Sequence, residues 1–262
     1  MGKTSARVKI LSVDVEEGVK SSKEEEIAVE EPFFVHINGK HFVTLLSSPD
    51  MRREFAVGHL LGEGIIKSLS ELKGIRLDGS NAFVSLSKST GTALRASKTA
   101  KLVTTACGST DPDFLKLLDR IKKPFVESRT SVSAQTILYA ARRLSQESKI
   151  HGVTYGTHAA AIFTSEGQLV SFAEDVGRHN AVDKVIGGAT LKGAIFARCL
   201  LVSSGRQPAD MVLKAARVGI PIVASIAHPI DSGVRAAEKT GVTLVRIRGR
   251  QLTVYTNPQR IE

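Results

Sequence analysis

The last third of the chain alternates short apolar runs with amphipathic segments, and this alternation constrains the fold more than any other feature. The apolar runs CLLVSS, IPIVASIA and VTLVRI are separated by GRQPADMVLKAARVG and HPIDSGVRAAEKTG. Apolar strands joined by amphipathic crossover helices are typical of βαβ units on a parallel sheet. We therefore predict an α/β fold class for this region, and an α+β organisation for the chain as a whole.

The segments on either side of this region extend the prediction to residues 126–262. THAAAIFT and LVSFAEDVG are expected to form two strands joined by a turn at SEGQ, HNAVDKVIGGAT a helix, and QLTVYT a last strand. SAQTILYAARRLSQES has the apolar period of a helix. The residues of that helix expected to face inward are Ile137, Ala140, Ala141 and Leu144. Together these elements predict one α/β domain.

The N-terminal segment, residues 1–125, has the pattern of a smaller, strand-rich domain. Asn38-Gly39 stands between alternating apolar runs, which is the strongest short signal of a β-hairpin, and GIRLDGSNAFVSLS repeats the pattern. Asp50 is placed to cap a following helix. ARVKILSVDV is interpreted as a strand, and the acidic run KEEEIAVEE as a solvated turn.

The composition limits the location and the partners of the chain. No apolar run reaches the ~20 residues that span a bilayer, and the first residues lack the apolar core of a signal peptide. Two widely separated cysteines do not form a disulfide framework, which indicates a reducing, cytoplasmic location. The net charge of +10 favours anionic partners, whereas the lack of tryptophan argues against a base-stacking nucleic-acid surface.

Three loops leave strands and enter helices on one predicted edge of the sheet. They are AEDVGRHN, SSGRQPAD and SIAHPIDS, residues 173–180, 203–210 and 225–232. Ligands of open α/β sheets bind beyond the carboxyl ends of the strands. Gly205 and Arg206 combine backbone N–H groups at a helix N-terminus with a guanidinium, which predicts an anion site. The alternative is an ordinary turn with a surface arginine.

The first of these loops carries two further candidates, and each has two interpretations. Arg178 is available to an anionic ligand, or it forms a structural pair with Asp175. His179 is a general acid or base at neutral pH, or it caps the helix that follows. The sequence leaves these alternatives open.

The stretch KLVTTACGSTDPDF raises the question of what Cys107 does. Free cysteine is among the most buried residue types, so a small apolar role is the default. A sulfur nucleophile needs a thiolate instead, which the start of a helix near Asp111 and Pro112 would stabilise. Gly108 gives the loop freedom to move. Cys199, at the head of an apolar strand, is predicted to be core.

The sequence lacks the ligands of a zinc deaminase site, and no metal site is predicted. Such sites use a His-x-Glu segment and a later Pro-Cys-x-x-Cys. His158 could begin the first segment, but Ala160 stands where the glutamate is needed and the chain has no Cys-x-x-Cys. Without these ligands, the chain can neither bind zinc in this way nor activate a zinc-bound water. A deaminase-like scaffold without metal remains compatible with the pattern.

Taken together, the motifs of this chain resemble those of the formate dehydrogenase accessory sulfurtransferase family (FdhD). The matching stretches run in order from residue 31 to the end. They are EPFFVHINGKHFVTLLSSPDM, FAVGHLLGEGII, TTACGS, THAAAIFTSEG, AEDVGRHNAVDKVIG, LVSSGR, VLKAARVGIPIVAS and GVTLVRIRGRQLTVYTNPQRI. EDVGRHNAVDK followed by SGR is long and specific. The resemblance implies a cytidine-deaminase-like, layered α/β/α C-terminal domain.

The resemblance also implies a function and partners. A family member takes persulfide sulfur from a cysteine desulfurase and passes it to the molybdenum bis(molybdopterin guanine dinucleotide) cofactor of formate dehydrogenase. The persulfide cysteine falls on Cys107. The cofactor-binding stretch is one residue shorter than usual and falls on Arg246, Ile247, Arg248, Gly249, Arg250 and Gln251. The resemblance further implies a homodimer, with the cofactor bound as a client through a GDP-like moiety.

One departure from the family pattern leaves two functions open. The family carries Cys-Gly-x-Cys, whereas Thr110 follows Cys107 at the second cysteine position. The first function is a sulfurtransferase that works with one thiol. The second is a binder of the guanine dinucleotide cofactor that no longer moves sulfur. A nucleic-acid binder is a third class, which the scattered arginines and lysines disfavour.

Overall fold

The computed structural model describes residues 3–87 and 126–262. The described residues form three β-sheets and six α-helices. The strands are β1 Ser5–Val13, β2 Lys20–Ala28, β3 Glu31–Ile37, β4 Lys40–Ser47, β5 Leu72–Asp78, β6 Asn81–Leu86, β7 His158–Thr164, β8 Leu169–Asp175, β9 Cys199–Ser203, β10 Ile222–Ser225, β11 Thr243–Arg248 and β12 Gln251–Val254. The helices are α1 Arg52–Gly62, α2 Ala134–Glu147, α3 Lys149–Thr154, α4 Arg178–Leu191, α5 Ala209–Val218 and α6 Asp231–Thr240.

The largest sheet has six strands in the order β12-β11-β10-β9-β7-β8. Strands β9, β10 and β11 are parallel, and helices α5 and α6 form the crossover connections between them. Strands β7, β8 and β12 run antiparallel to their neighbours. The predicted α/β class is confirmed. The cytidine-deaminase-like relationship remains a prediction.

Helices cover both faces of this sheet, because alternate residues of each buried strand point to opposite sides. Helix α2 packs on one face through the side chains that the sequence placed inward, and those side chains are buried against Phe163, Val202 and Ala224. Helices α1, α4, α5 and α6 supply the apolar residues on the other face. The described residues therefore bury both faces of the sheet and leave its edges open to a ligand.

The N-terminal strands β3 to β6 form a second sheet in the order β4-β3-β6-β5. The hairpin between β3 and β4 turns through Asn38 and Gly39, whose φ angles are 49° and 80°. A two-residue hairpin turn needs positive φ at both positions, which asparagine and glycine adopt most readily. This hairpin and the one between β5 and β6 are confirmed.

The acidic run near the N-terminus belongs to a strand, so its interpretation as a turn was wrong. Strands β1 and β2 pair along their whole length and form a separate two-stranded sheet. Arg7 lies opposite Glu26, and Lys9 lies opposite Glu24. Opposite charges on directly paired residues favour this register, and the composition of one strand alone does not reveal them.

Helices α1 and α4 pack with their backbones in direct contact. A Cβ atom added to Gly58 would lie 1.7 Å from the carbonyl oxygen of Asp183, and one added to Gly187 would lie 1.8 Å from that of Glu54. Only glycine permits backbones to meet at this distance. One apolar core consequently contains side chains from both sides of the predicted boundary at residue 125. The division into two domains remains a prediction.

Among the described residues, no helix is both long and apolar enough to cross a membrane.

Candidate functional site

The second and third predicted loops meet at the carboxyl edge of the parallel strands, as expected. The N–H of Ile230 donates to the carbonyl oxygen of Gln207 at 3.1 Å, and Gln207 forms a β-bridge with Pro229. The Ser225 hydroxyl donates to the carbonyl oxygen of Gly205 at 2.7 Å. These contacts hold the loop that contains Arg206 against the loop after β10.

Gly205 also brings the first loop into the same site. A Cβ atom at this position would lie 2.7 Å from the Cβ of Arg178, so the residue must be glycine for the two loops to touch. The Nε atom of Arg178 is buried and has no hydrogen-bond partner in the described residues. A buried guanidinium donor without a partner indicates a place for an anion.

Asp175 does not pair with Arg178, which corrects one of the two interpretations of that arginine. The Asp175 carboxylate lies 2.7 Å from the Lys184 ammonium, and it accepts hydrogen bonds from the N–H groups of Gly177 and Ser48. Burial raises the pKa of Asp175 above its usual value, while Lys184 and the N–H of Gly177 act in the opposite direction. Arg178 is thus left available to a ligand.

Lys184 also takes the side chain that was expected to cap α1. The Asp50 carboxylate lies 2.6 Å from the Lys184 ammonium and forms no cap, because Met51 takes the N-cap position in a left-handed conformation. A fully buried ammonium requires paired acceptors, and this requirement outweighs one capping hydrogen bond. The pairing ties the end of β4 to α4.

His179 lies in the first turn of α4 and is not its cap, since Gly177 takes that position. Its Nε2 atom is 2.9 Å from an Asp210 oxygen, although the oxygen lies off the direction of a hydrogen bond. Burial alone would raise the pKa of Asp210, but His179 and the N–H of Met211 hold it below its usual range. His179 is therefore engaged with a carboxylate.

The C-terminal stretch forms part of a pocket at the same edge. Ile247, Arg248 and Gly249 line it from the end of β11 and the turn after it. The rest of the lining is Leu138, Ala141, Arg142, Ser145 and Ile226, and the volume is about 350 Å³. We call this the arginine pocket. Arg246 projects to the opposite face of the sheet from Ile247, and Arg250 and Gln251 are exposed beyond the pocket.

A second pocket adjoins the first and shares Ile226 with it. Its volume is about 340 Å³. It is lined by His151, Tyr155, Gly156, Thr157, His158, Val176, Ser204 and Ile226. We call this the histidine pocket. Burial, and then the positive charge of Arg178, lower the pKa of His158 below its usual value.

A buried cluster away from this edge has the spacing of a metal site. His59, Glu63 and Asp183 place one ligand atom each within 4.8 Å of one another. The Lys214 ammonium lies among them, 2.5 Å from Glu63 and 2.8 Å from Asp183. An internal cation already neutralises these carboxylates, so the cluster joins α1, α4 and α5 as a structural network.

Comparison with known proteins identifies the chain. The model of the FdhD/NarQ family matches residues 28–262. The chain belongs to the FdhD/NarQ family. The sulfur carrier protein FdhD of Sulfolobus acidocaldarius is 34% identical over 250 residues, which are 95% of this chain and 96% of that protein. The sulfur carrier protein FdhD of Methanothermobacter thermautotrophicus is 35% identical over 240 residues, or 87% and 88% of the two chains.

The fold of this FdhD/NarQ chain is similar to that of a solved structure. It is that of a protein described as a formate dehydrogenase accessory protein, from Desulfotalea psychrophila. The two structures agree with a TM-score of 0.79 at 26% identity, over 99% of this chain and 100% of the other. The FdhD/NarQ match begins at residue 28, so β1 and nearly all of β2 precede it.

The predicted sulfur site falls outside the residues that the structure describes. Cys107, Thr110 and the helix predicted to begin at Asp111 all lie between residues 88 and 125. Cys199 is buried and its Sγ lies 3.4 Å from the carbonyl oxygen of Ile195, which confirms its assignment to the core. Burial, with a smaller contribution from Glu166, raises its pKa to about 11.

The sequence predicted only part of the histidine pocket. Val176, Ser204 and Ile226 lie in the three loops expected at the ligand edge, whereas the contribution of α3 was not predicted. The lining residues come from α3, β7 and the loops after β8, β9 and β10. In this FdhD/NarQ chain they are too far apart in sequence to form one short motif. In the sequence, His158 was interpreted only as a possible zinc ligand.

Proposed function

We propose that this protein is a sulfur carrier that accepts persulfide sulfur on Cys107 from a cysteine desulfurase. It delivers that sulfur to the molybdenum bis(molybdopterin guanine dinucleotide) cofactor of formate dehydrogenase. The names of its relatives support the sulfur-carrier role, and the cysteine of TTACGS supplies a nucleophile. The cofactor is the substrate here, held as a client rather than as a resident group.

The sulfur step needs one thiolate. The Cys107 thiolate attacks the outer sulfur of the donor's persulfide, an S–S bond forms on Cys107, and the donor's S–S bond breaks to leave its cysteine as a thiolate. No oxidant is consumed, because the transferred sulfur atom moves from one cysteine thiolate to another without a change of oxidation state. Thr110 cannot form a disulfide with Cys107, so the sulfur leaves only to an external acceptor.

One observation carries the cofactor half of the proposal. The Arg178 Nε atom is buried beside Gly205 and has no hydrogen-bond partner among residues 3–87 and 126–262, and it lies at the edge where the arginine and histidine pockets adjoin. Arg142 and Arg248 line the arginine pocket, and Arg206 is exposed on the neighbouring loop. Guanidinium groups bind phosphate oxygens well, and the guanine dinucleotide cofactor carries several phosphates.

The missing second cysteine favours one alternative. A protein that binds the guanine dinucleotide cofactor without moving sulfur would use the same sheet edge and would not require Cys107. The two functions make different predictions for the Cys107→Ala variant, since only a sulfur carrier loses its role in that variant.

Intact-mass spectrometry after incubation with a cysteine desulfurase and cysteine tests the proposal. We expect the wild-type protein to gain about 32 Da per sulfur atom, and the Cys107→Ala variant to gain nothing. Cys199→Ala is the matched control and should gain as much as wild type. No gain in the wild type, together with GDP binding by the wild type and by Cys107→Ala alike, would instead assign the binding function.

A further inference from the structure

His36 and His41 lie side by side on the solvent-facing surface of the N-terminal sheet. They are directly opposite each other on β3 and β4, on either side of the turn at Asn38 and Gly39. Their ring centroids are 5.7 Å apart, and the angle between the ring planes is 76°. His41 is exposed and His36 is half-buried, so solvent reaches both rings.

A β-bulge in β4 produces this pairing. Val35 lies opposite Val43, and His36 lies opposite His41, so Phe42 has no partner of its own on β3. In a regular strand, Phe42 would lie opposite His36. Phe42 instead packs against the core, and His41 takes the position across from His36. Bulges that re-aim a side chain in this way are over-represented next to functional sites.

The hydrogen bonds of Asn81 define the tautomer of His36. The Asn81 Nδ2 atom donates to the carbonyl oxygen of Asp78 at 3.4 Å, which leaves its Oδ1 atom to accept from His36 Nε2 at 3.0 Å. The proton of the neutral His36 ring is therefore on Nε2, and Nδ1 carries a lone pair.

His41 can present the same atom. Its Nε2 atom lies 2.9 Å from Thr44 Oγ1, and a hydroxyl oxygen accepts as well as donates. Neither Nδ1 atom has a hydrogen-bond partner among residues 3–87 and 126–262. Metal-binding histidines have this arrangement, in which one ring nitrogen donates to an oxygen and the other is free to bind the ion.

One of the two rings is fixed in place, which lowers the cost of forming a site. His36 stacks on Phe83 of β6, with ring centroids 4.8 Å apart and ring planes at 17°. Phe83 lies between His36 and Arg76 in the register of the sheet. The Arg76 guanidinium lies 4.4 Å from the Phe83 centroid and 3.4 Å from an Asp78 oxygen, which offsets part of its charge.

We propose that His36 and His41 bind one divalent late transition-metal ion through their Nδ1 atoms, with water completing the coordination. Imidazole is a good ligand for Ni²⁺, Cu²⁺ and Zn²⁺. Two imidazoles on one such ion, at metal–nitrogen distances of about 2.0–2.1 Å, have ring centroids about 4.5–5.2 Å apart. The centroids here are 5.7 Å apart, and rotation of the exposed His41 side chain would close the difference. This site is independent of the proposed function.

Calorimetric titration with NiCl₂ tests the proposal, using Cys107→Ala as the parent protein so that its thiol does not compete for the ion. We expect one Ni²⁺ per chain in the parent. Adding His36→Gln or His41→Gln should weaken binding by about tenfold or more. His228→Gln is the matched control, because it removes one exposed histidine from the loop after β10. It should bind Ni²⁺ as the parent does.

Asn81 is a positioning residue in this proposal, and its variants test that role separately. Asn81→Ala keeps both rings but removes the acceptor of His36 Nε2, so Ni²⁺ should bind about tenfold more weakly. Asn81→Asp restores an acceptor and should restore the affinity. Unchanged affinity in Asn81→Ala would refute this role and leave the two ligands in place.

Two-bond ¹H–¹⁵N spectra of the parent give a readout that does not depend on the folding of any histidine variant. On addition of diamagnetic Zn²⁺, the Nδ1 signals of His36 and His41 should be the ones that move. Movement of other histidine signals alone would refute the site. Absence of Ni²⁺ binding by the parent, or equal binding by His36→Gln and His41→Gln, would refute it as well.

Discussion

The Lys184 ammonium lies 2.7 Å from the Asp175 carboxylate, and neither side chain has any exposed surface. We expect Lys184→Met to lower the free energy of unfolding by about 3–5 kcal/mol, because removal of one partner leaves a buried charge uncompensated. Urea denaturation measures the change. Arg143→Met, which removes the partly exposed pair with Glu147, should cost about 0.5 kcal/mol or less. Equal stability of the two variants would contradict the assignment.

The close crossing of α1 and α4 makes Gly58 intolerant of a side chain. The Cβ atom of Gly58→Ala would overlap the Asp183 carbonyl, so the helices must separate, and we expect a loss of about 2–3 kcal/mol or more. Gly152→Ala is the control, since its Cβ meets nothing within 4 Å on the exposed face of α3. That variant should be unchanged or more stable by about 0.5–1 kcal/mol. Thermal unfolding of both variants distinguishes the outcomes.

Gly205→Ala should affect ligand binding more than stability. The new methyl group would displace the Cβ of Arg178, and with it the guanidinium that we assign to phosphate. Loss of one charge-assisted hydrogen bond predicts GDP binding weaker by about tenfold. Gly74→Ala, where a Cβ meets nothing, should bind as wild type does. Unchanged affinity in Gly205→Ala would remove Arg178 from the phosphate site.

Stability should fall in acid through the Lys214 cluster. Burial alone would raise the pKa of Asp183 and of Glu63, but Lys214 and His59 hold both below their usual values. Such carboxylates stabilise the fold above their unfolded pKa values, and this contribution is lost as the pH falls through the folded ones. We expect the free energy of unfolding to decline from about pH 5 to about pH 3.

The variant Lys214→Met should show a flatter decline over the same interval, because Lys214 contributes more than His59 to lowering both pKa values. Urea denaturation at a series of pH values measures the two slopes. Arg143→Met serves again as the control and should keep the wild-type slope. A wild-type slope in Lys214→Met would show that other groups cause the acid dependence.

Cys199 should react slowly with thiol reagents. Its pKa of about 11 leaves about one thiolate in 1,000 at pH 8, and its sulfur is buried. In Cys107→Ala, which retains only this cysteine, labelling by iodoacetamide should become fast only in denaturant. Fast labelling of the folded variant would contradict the core assignment, and would remove Cys199→Ala as a control for sulfur transfer.

Much of the fold followed from local patterns in the sequence. The hairpin at Asn38-Gly39 was predictable because the backbone conformation required there suits few residue types. Helix α2 was predictable because its apolar period covers almost four turns. Strands β9 to β11 were predictable because their continuous apolar runs alternate with helices.

The partners of charged residues were not predictable in this way. Asp50 and Asp175 were each given a local role, whereas both serve Lys184, which is 134 residues from Asp50 in the chain. A buried charge selects its partners in space, and a sequence window does not contain them. The contribution of α3 to the histidine pocket escaped prediction for the same reason, since the lining residues come from four separate segments of the chain.

The crossing of α1 and α4 has a consequence for the order in which the chain folds. His59 and Asp183 touch across a sequence separation of 124 residues, so the ribosome must release α4 before α1 can bury its apolar face. Contacts this distant form late, because a long loop must first close. Until then, α1 and the strands around it expose apolar surface, which favours aggregation of the nascent chain.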